Sequence, residues 1–181
     1  MAEAPLEATE TGRNRTGRGW FVLNARDGRW HHAAGRGGRT DFEGDFDFPQ
    51  VGIHLYSLDP GEPMGMYHWE ADQEDFLVVA GEALLLIEGE ERPLRQWDFV
   101  HCPPGTAHII IGAADGPCVV VAVGAREHED SVEWGGYPVN PVALGHHAGV
   151  SEETSDPAEA YAAVPRREPT AYRAGWLPDD G

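Results

Sequence analysis

Two histidines and two glutamates in this chain are spaced so that they could share one metal ion. His68 and Glu70 are two residues apart, so on a strand both side chains leave the same face, with Cα atoms roughly 7 Å apart. Glu74 lies four residues further on, after Ala71-Asp72-Gln73, a stretch that can turn the chain and bring back a third ligand. His108 follows Pro103-Pro104-Gly105, a rigid turn that would hold a fourth ligand in place before a metal arrives. The plain alternative for His68 and His108 is a hydrogen-bonded place in the interior. For Glu74 it is a buried structural carboxylate, which would cost several kcal/mol without a cation or donor. Glu70 stays open between a ligand, a solvent-facing or water-holding carboxylate, and a general base held ionised by the metal's field.

These residues resemble the cupin family. Its first motif runs Gly, His-x-His, Glu, Gly, and Gly61, His68, Glu70, Glu74 and Gly81 stand here in that order, with six residues between Glu74 and Gly81 as the motif asks. Its second motif ends Pro-x-Gly-x-x-His, matched by Pro103, Gly105 and His108, while Trp97 stands where the leading Gly belongs. Fifteen residues separate Gly81 from Trp97, a short spacing typical of compact bacterial cupins. The resemblance implies an all-β double-stranded β-helix, a jelly-roll barrel, with one divalent metal held by His68, Glu70, Glu74 and His108. Glu70 replaces the second His of the first motif. That makes the donor set harder and favours Mn(II), Fe(II) or Ni(II), with Zn(II) possible.

The elements that would position these residues are short strands. Trp20 to Leu23, Val51 to Leu58, Phe76 to Ala80, Ala83 to Ile87, Trp97 to Cys102, His108 to Ile111 and Cys118 to Val123 read as strands between Gly, Pro and Asp turns. Twenty-three glycines and 14 prolines favour such an architecture over a helical bundle. Residues 1–18 read as a disordered leader, 19–124 as the barrel, and 125–181 as an extension that packs on the barrel or on a dimer partner. Asp156-Pro157 offers an N-cap and a first-turn proline for one short C-terminal helix. Tyr67, Trp69, Trp97 and Phe99 read as mostly core, and the pairs His31-His32 and His146-His147 as surface. His101 is open between a cavity-lining and a core position.

The formal net charge is −18, from 31 acidic and 13 basic residues, all of the latter arginine. A surface this acidic repels phosphodiester backbones and anionic headgroups, so neither nucleic acid nor membrane is an expected partner. Cys102 and Cys118 read as buried free thiols, and with no apolar leader segment this points to a cytoplasmic protein. Sheet edges in an open barrel need covering, so a homodimer is expected. The resemblance implies a small-molecule metalloenzyme of dioxygenase, decarboxylase or isomerase type, or else a non-catalytic small-molecule binding or sensing module.

Overall fold

The computed structural model describes residues 1–113, 115–129 and 131–179. The chain enters through β1 (Leu6–Thr9), β2 (Gly12–Arg15), β3 (Trp30–His32) and β4 (Gly38–Thr40). Next come β5 (Val51–Leu58), β6 (Trp69–Glu70), β7 (Glu74–Ala80), β8 (Glu82–Ile87), β9 (Glu90–Arg95), β10 (Phe99–Cys102), β11 (His108–Gly112) and β12 (Cys118–Ala125). Beyond it come β13 (Gly135–Gly136), α1 (Pro141–Gly145), α2 (Pro157–Ala160) and β14 (Glu168–Thr170).

One sheet has the order β10-β7-β12-β5-β4-β3-β14 and the other β11-β8-β9, with every named pair antiparallel. Bridges Pro63 to Ile111 and His68 to His108 lay the segment before β6 along β11, and β6 itself pairs with β13. The two sheets close over one core, a double-stranded β-helix. Leu58, Val78, Leu86, Ile110 and Val120 are wholly buried there, each stabilising the fold by about 1.5–3 kcal/mol.

Alternation decides what faces in. Along β7, Phe76, Val78 and Ala80 are buried while their neighbours are less so, and this period of two carries Glu74 to the interior side as well. On β10, Val100 and Cys102 are buried whereas Phe99 and His101 are exposed. Trp97 and Phe99 therefore lie outside the core, 68% and 64% exposed, contrary to the sequence expectation. His101 neither lines a cavity nor joins the core: its Nδ1 meets Asp75 Oδ1 at 2.7 Å on the outer face.

Two of the motif positions are explained by backbone conformation. Gly81 has φ +71°, and a Cβ there would stand 2.6 Å from the Pro117 carbonyl oxygen, so only glycine fits. Trp97, in the place of the second motif's first glycine, also has positive φ, +75°. The turn keeps its left-handed geometry and the indole bears the strain.

Three expectations for the termini differ from what is found. Residues 1–18, expected to lack structure, form the β1–β2 hairpin. The segment has little apolar surface, but the Arg15 guanidinium packs over Phe21, Phe46 and Phe48 and donates to the Glu43 and Phe46 carbonyls. An arginine thus does the anchoring that an aliphatic side chain does elsewhere. Trp20 to Leu23 is not a strand: Trp20 makes one bridge to Glu3, and Phe21 is used for ring packing against Phe48. A second short helix, α1, starts at Asn140, whose side chain accepts from the Val142 and Ala143 amides.

The region after the barrel folds back over it. β14 pairs with β3, and Trp176 packs on Trp30 and against Gly38, where a Cβ would approach its ring to 3.0 Å. Tyr161, just after α2, accepts a hydrogen bond on its hydroxyl oxygen from the Met66 amide at 3.0 Å.

Candidate metal centre

His68 and His108 are opposite one another across a hydrogen-bonded antiparallel pair: the His68 amide donates to the His108 carbonyl at 3.2 Å and the His108 amide to that of His68 at 2.8 Å. Side chains so paired leave the same face, and the two imidazole rings lie 5.1 Å apart. Glu74, at the start of β7 and in register with Cys102 and Gly124, reaches the same point from the other sheet. Its Oε2 is 3.1 Å from His108 Nε2 and 3.6 Å from His68 Nε2. Ligand atoms of His68, Glu74 and His108 all lie within 4.8 Å of one another.

The tautomers follow from the neighbours. His68 Nδ1 is 2.8 Å from the Met66 carbonyl and His108 Nδ1 is 2.9 Å from that of Thr106. A carbonyl only accepts, so each Nδ1 carries a proton and each ring turns its Nε2 toward Glu74. His108 Nε2 and Glu74 Oε2 are both buried and without a hydrogen-bond partner. The 3.1 Å approach of those two atoms is attractive only if a proton or another cation stands between acceptors. Burial opposes a charge on His108, yet Cys102 and the Glu74 carboxylate outweigh it and push its pKa up to about 10, while Glu74 is held below the usual carboxylate range. Three inward donors of imidazole and carboxylate type, two of them orphaned, fit a divalent ion.

Glu70 stands apart from this trio. Its Oε1 is 3.3 Å from His68 Nε2 and its side chain is 28% exposed, and it is not among the side chains whose ligand atoms converge within 4.8 Å. Phe76 packs 5.1 Å from the His108 ring and Tyr137 5.9 Å from that of His68, which shields the imidazoles from water.

The trio opens on a cavity of about 360 Å³ lined also by His54, Tyr56 and Arg39, with Tyr161 and Arg167 contributed by the C-terminal region. A smaller space of about 150 Å³ on the other side shares His54, Glu70 and Glu74. Burial pushes the His54 pKa down to about 4, helped by Arg39, so the ring is neutral at pH 7. Sequence reasoning missed His54 and Tyr56. The signal was their spacing of two on β5, which puts both on one face. For Arg39, Tyr161 and Arg167 no local signal existed, because long-range packing brings them in.

Other candidates fall elsewhere. His146 Nε2 contacts Glu91 at 2.7 Å near the surface, and Cys102 and Cys118 are buried and free. Asp72, Glu127 and His128 form a second metal-type grouping, but Asp72 already accepts from the His128 amide at 2.8 Å and lies 2.7 Å from its Nδ1.

Residues 54–124 match the family model for the cupin domain. Those residues form a cupin domain. The matched stretch runs from β5 to the end of β12 and includes all three converging side chains. Solved structures similar to this cupin include a putative sugar phosphate isomerase from Acidithiobacillus ferrooxidans, at 30% identity over 42% of this chain and 51% of that one, TM-score 0.41. Another is a cupin 2 domain-containing protein from Halorhodospira halophila, at 19% identity over 48% and 62%, TM-score 0.43. The polyketide cyclase RemF from Streptomyces resistomycificus shares the fold at 12% identity over 59% and 79%, TM-score 0.51. The match covers only 51% and 62% of the first two chains. None of the curated proteins matches this cupin.

Proposed function

We propose that this cupin is a metal-dependent enzyme for a small molecule, with one divalent ion held by His68, Glu74 and His108. The observation that carries the reading is the convergence of those three ligand atoms within 4.8 Å, two of them buried and without donors. Mn(II), Fe(II) or Ni(II) suits a set of imidazole and carboxylate donors, with Zn(II) a further candidate. When bound, the ion would supply Lewis-acid polarisation of a substrate oxygen.

The chain's own groups favour proton transfer, the isomerase or decarboxylase kind of reaction, over oxygen insertion. Glu70 borders the cavity with a partly exposed carboxylate beside His68, a position from which it would take a proton from a substrate carbon or hydroxyl. His54, neutral at pH 7, would accept or return a proton on the same wall. Tyr137 and Phe76 keep water from the imidazoles.

Around this site, we read the leader hairpin and the region after Ala125 as additions to a barrel that begins near residue 19. No helix among the described residues is long and apolar enough to cross a membrane. The acidic surface argues against nucleic acid and membrane partners. The two free thiols support a reducing, cytoplasmic setting. Trp97 and Phe99, exposed beside and on edge strand β10, support a homodimer.

The test is metal analysis of protein purified without chelator, followed by removal and reloading. About one ion per chain is expected, with uptake lost in His108→Ala. Solvent deuterium incorporation into small hydroxy and keto acids should require the reloaded metal and fall in Glu70→Gln. Unchanged metal occupancy in His108→Ala would sink the ligand assignment.

A further inference from the structure

Four of the chain's 13 arginines, Arg36, Arg39, Arg166 and Arg167, line the cavity that opens on the metal centre. In a chain with 31 acidic residues, such a concentration of cations around one space is unexpected on composition alone. Arg36 is buried, and its Nη1 and Nη2 donate to the Gly65 and His147 carbonyls at 2.9 and 2.7 Å. Arg167 Nη1 and Nη2 donate to the Gly37 and Met64 carbonyls at 2.9 and 2.8 Å. Neither has an ion pair with a carboxylate among the described residues.

Among the described residues Arg39 approaches one carboxylate, Asp41 at 3.8 Å, and its buried Nε has no hydrogen-bond partner. Tyr56, its register partner across β4 and β5, lines the same cavity. The cavity's own carboxylates, Glu70 and Glu74, are engaged with His68 and His108.

Backbone carbonyls satisfy donors but do not neutralise charge. Burial pushes the Arg36 and Arg167 guanidinium pKa values down, and Arg39 and Arg36 both act on Arg167 in that same unfavourable sense. Three guanidinium groups around one cavity, two with no ion pair among the described residues and the third with only a 3.8 Å approach to Asp41, carry the electrostatic signature of a site completed by a ligand.

We propose that Arg36, Arg39 and Arg167 form an anion subsite that binds a carboxylate or phosphate group of the substrate, with Arg39 Nε as its principal unpaired donor. The substrate class is then a small organic acid or phosphate ester, held at its charged end by arginines while its reacting end faces His68, Glu74 and His108. As an account of the substrate, this rests on the metal-site reading above. The subsite itself is testable without metal.

The experiment is calorimetric titration of the full chain, stripped of metal, with inorganic phosphate, with malonate, and with glycerol as a neutral probe, all at constant ionic strength. Saturable binding of one anion per chain is expected, with no heat from glycerol. The tighter of phosphate and malonate identifies the source chemistry. Arg39→Gln should weaken that binding about tenfold or more, as loss of a charge-assisted hydrogen bond does. Should Arg39→Gln fail to fold, Arg39→Lys keeps the charge without the fork and should weaken binding several-fold. A rise in wild-type Tm with the bound anion relative to chloride at equal ionic strength needs no variant. Absence of saturable binding in a protein that still takes up metal overturns the subsite alone. Anion binding in a protein that never takes up metal overturns the metal reading and leaves the subsite standing.

Discussion

Glu74→Gln is the most informative single perturbation of the proposed metal centre. It keeps the side chain's volume and replaces the carboxylate by a neutral amide. In the native chain Glu74 Oε2 is buried 3.1 and 3.6 Å from two imidazole Nε2 atoms and has no hydrogen-bond partner. The amide NH₂ of glutamine would donate to one of those nitrogens and satisfy it without any cation. Removing a side chain that only supports a metal ligand costs 10–100-fold in affinity, so removing a carboxylate that would itself touch the ion should cost at least about 100-fold. At a free metal concentration of about 100 Kd the native protein gains about 2.7 kcal/mol. In a chain of this size that corresponds to a rise in Tm of about 5–11 °C. At the same concentration the variant would gain about 0.4 kcal/mol, a rise of about 1 °C. The assay is thermal unfolding of stripped protein with and without Mn(II), reading the metal-induced difference so that altered metal-free stability cancels. A shift in Glu74→Gln equal to that of the native chain would refute the reasoning.

Other predictions concern the frame around the centre. Trp97→Gly should stabilise the fold by about 1 kcal/mol, because a largely exposed indole at φ +75° gives way to a residue with no left-handed penalty; chemical denaturation showing a loss instead would contradict the strain. Gly81→Ala should cost about 2 kcal/mol or more, since its Cβ would meet the Pro117 carbonyl at 2.6 Å, and an unchanged Tm would count against that geometry. His54 has a folded pKa of about 4, below the ordinary 6.5, so the unfolded chain takes up its proton first as pH falls. The stability this confers is fully present above pH 6.5 and is lost between 6.5 and 4, by at most about 3 kcal/mol. Glu74 and Asp72, also with lowered values, act in the same sense, so the measurement is the difference between native and His54→Gln denaturation curves at pH 7 and 4.5. Parallel curves at both would show that His54 is not buried as described.

Much of this architecture was legible because it is local. Val51 to Leu58 and Phe76 to Ala80 alternate or run apolar between turn residues, and strands form there because one face must be buried. Gly81 and Gly105 mark turns that need positive φ. The spacing of His68, Glu74 and His108 was legible through the cupin motifs, and cross-strand pairing explains why the three side chains converge. What escaped the sequence depends on contacts far apart along the chain. The leader hairpin is held by an arginine among three aromatic rings contributed from later residues. Trp97 and Phe99 look like core by type, but β10 turns Val100 and Cys102 inward instead. Arg167 reaches the cavity only because the chain after α2 folds back beside Gly37 and Met64.

Whether His68, Glu74 and His108 hold one divalent metal is decided by anomalous diffraction from Mn(II)-loaded crystals, recorded near the manganese edge. A single strong peak is predicted between His68 Nε2, His108 Nε2 and the Glu74 carboxylate, with Glu70 beside it. No peak there, or one confined to Asp72 and His128, would contradict the account.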